Sequence, residues 1–207
     1  MKNKRKISAA KKFYRQVGTH GWRGSDYFTF SARSPAVRHW IASQLPAKRK
    51  KILSIGCGGG EMENHLIDLG HFVVGLDLSG QMLKRASRRG VDPLVQADAR
   101  ALPFRSGCFD FVIFMESIGH LQLNAVFEEA RRVLRKRGRL LITTYPEHLK
   151  AHACYRKFAL DEITEPLIDV GFRIKKHRML DANRNSVMEV PSIGQSTLLY
   201  ISSTKQD

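Results

Sequence analysis

The sequence predicts an α/β fold with a doubly wound sheet, on two observations. From residue 51 onward, short apolar runs alternate with stretches of helical period, which is how strands covered by helices on both faces read in sequence. The first of these runs, Ile52 to Gly60 (ILSIGCGGG), passes from a strand straight into four glycines within five residues and then into a helix.

Each element follows from its local pattern. Lys51 to Gly56 reads as a strand, and Glu61 to Leu69 as a helix whose apolar stripe is Met62, His65, Leu66 and Leu69. Phe72 to Asp77 is the second strand. Ser79 then suits the N-cap of a helix that carries Arg88 and Arg89 in its last turn and stops at Gly90. Pro93 to Asp98 is a third strand and Phe109 to Met115, almost wholly apolar, a buried fourth. A helix near Asn124 to Arg135 closed by Gly138, a strand from Arg139 to Tyr145, and a short helix from Thr164 to Val170 ending at Gly171 come next. Phe172 to Leu180 and Ser196 to Thr204 form a last, antiparallel pair around a polar loop with Asn183, Asn185, Pro191 and Gly194.

Composition sets the class. The chain has 207 residues, 43% hydrophobic and 26% charged, enough to bury a core and suggestive of one domain. Its charge of +16 is uneven: residues 1–51 hold 14 basic side chains against one acid, Asp26, and the rest is nearly balanced. This divides the chain into a basic, aromatic arm or lid over 1–35 and a domain over 36–207. No apolar run has the roughly 18 residues of a membrane span, and the basic start lacks the apolar core of a secretory signal, so a cytoplasmic protein is expected. Cys57, Cys108 and Cys154 have neither disulfide nor zinc spacing.

The glycine loop carries the first functional signal. Glycine lets a ligand approach the backbone and adopts positive φ at little cost, and the helix after the loop offers free amides. No Gly-Lys-Ser/Thr follows, so this is not a phosphate-binding Walker loop, and Glu61 stands where the dinucleotide fingerprint needs its third glycine. Asp77 lies 19 residues beyond Gly58 at the end of the second strand, where a carboxylate can accept from both hydroxyls of a ribose. Asp98 ends the third strand; its carboxylate suits an adenine amino group while the Ala99 amide serves a ring nitrogen. Loop and acids therefore share the carboxyl edge of one sheet, where open α/β sheets bind ligands.

With those residues in place, the chain resembles the class I S-adenosylmethionine-dependent methyltransferases over about residues 36–180. The resemblance rests on ILSIGCGGG, VVGLDLSGQML, QADARALPFRSGCFDFV, MESIGHL and EEARRVLRKRGRLLIT. Within the class, LPF followed shortly by FD is most similar to the ubiquinone-biosynthesis-type branch. The resemblance implies a Rossmann-like seven-stranded sheet in the order 3-2-1-4-5-7-6 with strand 7 antiparallel, and S-adenosylmethionine as cofactor. It implies that Gly56, Cys57, Gly58 and Gly60 line the methionine moiety, that Asp77 takes the ribose, and that Leu78 and Met82 lie against the adenine. Asp98 and Ala99 would meet the adenine edge, and Met115 with Glu116 the cofactor amino group. Two positions depart from the family. Members usually carry Asp or Glu where Ser54 stands, which helps to hold the cofactor's amino group. Its loss implies weaker cofactor binding or compensation by Glu61. Lys136 and Arg137 replace the usual Pro-Gly before Gly138, at a turn away from the chemistry.

Methyl transfer is an in-line displacement in which the protein positions the acceptor and takes its proton, with no metal. His120, five residues past Met115, is the candidate base, with Glu116 second; His120 reads equally well as a packing residue before the next helix. His148 and His152 at i, i+4 lack a third ligand for a metal and, with Tyr145 and Tyr155, suit part of a lid. In the arm, Tyr14, Trp22 and Tyr27, together with Tyr145, are candidate substrate walls. A small-molecule acceptor, methylated at oxygen or nitrogen, is the leading expectation. Two alternatives stand beside it: RNA such as tRNA, bound through residues 1–51, and a noncatalytic cofactor-binding module. The chain lacks the Asn-Pro-Pro-Tyr and Pro-Cys or Thr-Cys motifs of base methylation and the paired-Glu loop of protein arginine methylation.

Overall fold

In the computed structural model, which describes residues 35–148, 155–182, 186–191 and 198–206, the apolar runs become strands of a single sheet. β1 (Lys51–Ile55) pairs in parallel with β2 (Phe72–Asp77) and β4 (Phe109–Met115). β3 (Leu94–Gln96) extends the sheet beyond β2, and β5 (Leu134–Thr144) extends it beyond β4, both in parallel. β8 (Leu198–Lys205) runs antiparallel between β5 and β6 (Phe172–Ala182), and β7 (Val187–Val190) forms the last edge, antiparallel to β6. The order is β3-β2-β1-β4-β5-β8-β6-β7.

Successive residues of a strand point to opposite faces, and both faces here are apolar. Leu53, Ile55, Val74, Leu76, Val112 and Phe114 pack on one side with α4 (Leu123–Val133) and α5 (Asp161–Asp169). Ile52, Val73, Phe111, Ile113 and Leu141 pack on the other with α1 (Pro35–Ser43) and α2 (Glu61–Asp68). α3 (Gly80–Arg88) is capped as the sequence predicts, Ser79 Oγ accepting from the Met82 amide.

Five details depart from the expectation. The sheet has eight strands because residues 187–190 leave the expected polar loop and pair with β6; Glu189 there meets Lys176 at 3.3 Å and Arg178 at 2.6 Å. A four-residue strand with Met188 56% exposed has no core periodicity to betray it. In α2 the buried residues are Met62, Glu63 and Leu66, whereas Leu69 is half exposed, so the inward stripe includes an acid. β3 ends at Gln96, so Asp98 stands just past the strand rather than on it. α5 begins at Asp161 rather than at Thr164, which puts Pro166 inside the helix. Gly138 does not close α4: the helix runs directly into β5, and residues 135–138 bulge between the Phe109–Leu134 and Phe111–Arg139 pairs.

Tyr14, Trp22, Tyr27, His152 and Cys154 lie outside the described residues, as do the arm up to residue 34 and the loop residues Asn183, Asn185 and Gly194. No helix among the described residues is long and apolar enough to cross a membrane.

Candidate functional site

Strand order reverses between β1 and β4, and the crevice beyond their carboxyl ends is where ligands enter such sheets. The loop after β1 is fixed there by its neighbours. The amides of Gly56 and Cys57 both donate to the Leu76 carbonyl, at 2.7 and 3.0 Å. Gly56 has φ +75°, and a Cβ at that position would lie 2.4 Å from Ser117 Cβ. Ser117 Oγ in turn donates to the Ile55 carbonyl at 2.7 Å, tying the end of β4 to the end of β1. A Cβ on Gly60 would strike Ala86 and Val91, so that glycine serves helix packing. Gly58, with φ +55°, faces only the tip of Met82 and presents its backbone to the crevice.

Asp77 is joined to this loop. Its Oδ2 accepts from the Gly58 amide at 2.9 Å and its Oδ1 from the Ser79 amide at 2.8 Å. Burial raises its pKa above the usual carboxylate range against the opposing pull of the Ser79, Gly58 and Leu78 amides. The carboxylate is thus fixed at the tip of β2. Met82 and Ala99 are buried beside this region and Leu78 is half-buried. Asp98 has a different environment: Arg100 holds it through Nε at 3.0 Å and Nη2 at 2.5 Å, which lowers its pKa. An adenine edge would share that carboxylate with Arg100. Cys57 is buried, and burial, ahead of the neighbouring Glu63 and Asp77 charges, pushes its thiol well above the usual range. It is therefore no thiolate nucleophile.

Across the crevice, the ends of β4 and β5 bring together residues that the sequence scatters. Glu116 continues the ladder through its amide, which donates to the Thr143 carbonyl at 2.9 Å, yet has φ +53°. Such a backbone costs a non-glycine residue roughly 1 kcal/mol and recurs at functional sites. Its Oε2 accepts a short hydrogen bond from the Tyr145 hydroxyl. The Thr144 and Tyr155 hydroxyls are 2.8 Å apart, and the Tyr155 ring meets Tyr145 at 5.3 Å and His120 at 4.9 Å, edge to face. His120 ends the short 3-10 turn Ile118–His120. The structure therefore groups His120, Glu116, Tyr145 and Tyr155, and places Met115 under them with Thr143 Oγ1 donating to its sulfur at 3.5 Å. His148 is exposed. Among the described residues, no group of three or more His, Cys, Asp and Glu is placed to hold a metal.

Sequence reasoning missed one buried group. Glu63, 1% exposed, accepts from Ser54 Oγ at 2.5 Å, whereas Glu61, the expected substitute for the absent strand acid, pairs with Arg89 at 3.1 Å. Desolvation pushes the Glu63 carboxyl up to about 7. The available signal was its place three residues before Leu66, on the inward face of α2.

An open, mostly parallel sheet with this glycine loop and strand-end acid is the arrangement that the resemblance to class I S-adenosylmethionine-dependent methyltransferases implies. The family described as methyltransferase domain matches residues 53–142, from within β1 to within β5. The chain is 28% identical over 120 residues to a ubiquinone biosynthesis O-methyltransferase of Xanthomonas oryzae pv. oryzae, covering 55% of this chain and 50% of that protein. It is 38% identical over 107 residues to a malonyl-[acyl-carrier protein] O-methyltransferase of Enterobacter lignolyticus, covering 50% and 43%. The chain thus spans about half the length of these curated relatives. Among solved structures, a TehB-like methyltransferase from Corynebacterium glutamicum matches with a TM-score of 0.66 at 18% identity, over 98% of both chains. S-adenosylmethionine is the cofactor of this class. The residues fit it: Gly58 offers open backbone, and Asp77 is a fixed acceptor beside it.

Proposed function

We propose that the chain transfers a methyl group from S-adenosylmethionine to an oxygen or nitrogen of a small molecule. The observation that supports this best is the Gly58–Asp77 pairing on one side of the switch point with the His120, Glu116, Tyr145 and Tyr155 cluster on the other. The cofactor, when bound, supplies an electrophilic methyl on a sulfonium. Asp77 orients its ribose hydroxyls, Leu78 and Met82 flank the base, and Ala99 with Asp98 meets its edge. Gly56, Cys57, Gly58 and Gly60 shape the floor, with Met115 and Glu116 closing the side toward β4.

Tyr145 and Tyr155 form an apolar wall with polar tips, suited to a flat or acyl acceptor. His120 stands at the rim of that wall, where a neutral imidazole accepts the acceptor's proton as the new bond forms. Glu116, tied to Tyr145, is the second candidate for that proton. Oxygen is favoured over nitrogen by the O-methyltransferase relatives.

An RNA acceptor gains less support. Of the basic run, Lys48–Lys51 leads into the amino end of β1, at the opposite edge of the sheet from the glycine loop. Cations there would bind phosphates away from the transferring methyl. A cytoplasmic setting fits the cysteines among the described residues, Cys57 and Cys108, both free.

Calorimetry with S-adenosylmethionine and S-adenosylhomocysteine tests cofactor binding, and a labelled-methyl screen divided into metabolite, RNA and protein fractions tests the acceptor. Label in the metabolite fraction is the expected result. Binding without transfer to any fraction would instead indicate a noncatalytic module, and label confined to RNA would overturn the small-molecule reading.

A further inference from the structure

The buried Ser54–Glu63 pair has no part in the chemistry so far. Ser54 is 0% and Glu63 1% exposed, on the side of the sheet covered by α1 and α2, directly before the glycine loop. A buried carboxylate needs a cation or a full set of donors. Glu63 has the Ser54 hydroxyl and its own backbone amide as donors, and the acids near it, Glu61 and Asp77, add only negative charge. Arg89, which caps the carboxyl end of α3 and reaches the loop, is committed to Glu61 and to the Gly59 carbonyl at 2.8 Å. Among the described residues no cation pairs with Glu63, and the pair lies directly before a loop that, on the cofactor reading, receives a ligand whose amino-acid part carries an ammonium.

We propose that Glu63, oriented by Ser54, is the counter-charge for the ammonium group of the cofactor's methionine moiety, so that in this chain the acid sits on α2 instead of β1. The inference rests on the cofactor reading above. It replaces Glu61, whose carboxylate faces Arg89, as the compensating residue. It also explains why a hydroxyl suffices at position 54: a second carboxylate beside Glu63 would add like-charge repulsion in a dry site. Because the carboxyl is pushed up to about 7, the free protein carries it largely protonated below that pH, and binding of an ammonium draws it into the ionised form.

The groups around Glu63 do not mimic this behaviour. Cys57 on the loop titrates far higher, Asp77 on β2 contacts the ribose half of the ligand, and Glu61 shares the helix but pairs with Arg89. On the outer side of α2, His65 is lowered by burial and by the neighbouring His39 and Arg38 of α1.

Two ligands separate the contributions: S-adenosylhomocysteine carries the ammonium, and methylthioadenosine shares the adenosine and sulfur but lacks the amino-acid part. In full-length wild-type protein, affinity for S-adenosylhomocysteine is expected to fall about tenfold per pH unit below about pH 7, while that for methylthioadenosine stays flat. Glu63→Gln is expected to weaken S-adenosylhomocysteine about 10- to 100-fold, leave methylthioadenosine unchanged, and remove the pH dependence. Adding Ser54→Asp to Glu63→Gln should restore most of the affinity. Equal affinity of wild type and Glu63→Gln for S-adenosylhomocysteine, or equal losses for both ligands, would overturn the proposal. So would a flat pH profile in wild type, which requires no variant to fold. Failure of wild type to bind either ligand would instead strike the cofactor reading itself.

Discussion

A single carboxylate, Asp77, is fixed by the backbone where the proposed cofactor's ribose would lie. Its two oxygens are held by the Gly58 and Ser79 amides, so it is orientated before any ligand arrives and loses little entropy on binding. Asp77→Ala is expected to weaken S-adenosylhomocysteine by about 10- to 100-fold, the worth of hydrogen bonds to a charged acceptor. Titration calorimetry measures this, and an unchanged affinity would remove Asp77 from the site. Asp77 was legible because a strand end and a loop glycine at fixed spacing are sequence features. That Glu63, and not Glu61, stands against Ser54 was not. The two are two residues apart on α2, so about 200° of helical rotation separates them. One faces Arg89 and the other Ser54, and only the packing of α2 on β1 decides which.

At the level of elements, the LPF segment shows what a motif can be for. Glu129 on α4 accepts from the Leu102 amide at 2.6 Å, and Arg132 one turn later donates to the carbonyls of Phe104 at 2.7 Å and Leu102 at 2.9 Å. The pair is itself joined at 2.6 Å. Together they satisfy the backbone of the connection from β3 to β4, which has no helix to satisfy it. Arg132→Ala leaves those carbonyls without their donor and Glu129 without its ion pair, and is expected to cost about 2 kcal/mol, lowering Tm by roughly 4–8 °C. Differential scanning calorimetry measures the shift, and a loss below about 0.5 kcal/mol would show the clamp to be dispensable. The bulge in β5 makes the opposite prediction. Arg137 adopts φ +58°, a conformation that favours glycine, so Arg137→Gly should relieve about 1 kcal/mol and raise Tm by roughly 2–4 °C. An unchanged or lower Tm would show that Arg137 makes interactions worth its strain. In sequence the Lys-Arg-Gly run looked like a turn closing a helix. The structure continues the strand through it because Leu134 already adopts extended backbone, with ψ 140°, and pairs with Phe109.

For the molecule as a whole, the parallel half of the sheet was readable because its central strands β1, β2 and β4 are buried on both faces and cannot hide their hydrophobicity. The antiparallel end was readable only in part, since β7 lies at an edge, with Met188 exposed and Glu189 held in ion pairs. The buried acid beneath the glycine loop has a consequence for the entire fold. An unfolded glutamate titrates near 4.5, and in the folded protein burial pushes Glu63 up to about 7. Between those values the native state binds the proton that the unfolded state has lost, so stability falls as pH rises through that window. Above the folded value the penalty is complete, on the order of 2–3 kcal/mol for the free protein. Glu63→Gln, which keeps the partner for Ser54 and never ionises, removes this dependence. Urea titrations at about pH 5 and about pH 7.5 should find wild type losing stability relative to Glu63→Gln by that amount, with the difference confined to the interval between the two pKa values. Saturating S-adenosylhomocysteine should then shrink the gap in this interval, because a cation beside the ionised carboxylate offsets the desolvation that produced it. A gap of equal size with and without ligand would mean that the carboxylate and the ligand's ammonium do not meet.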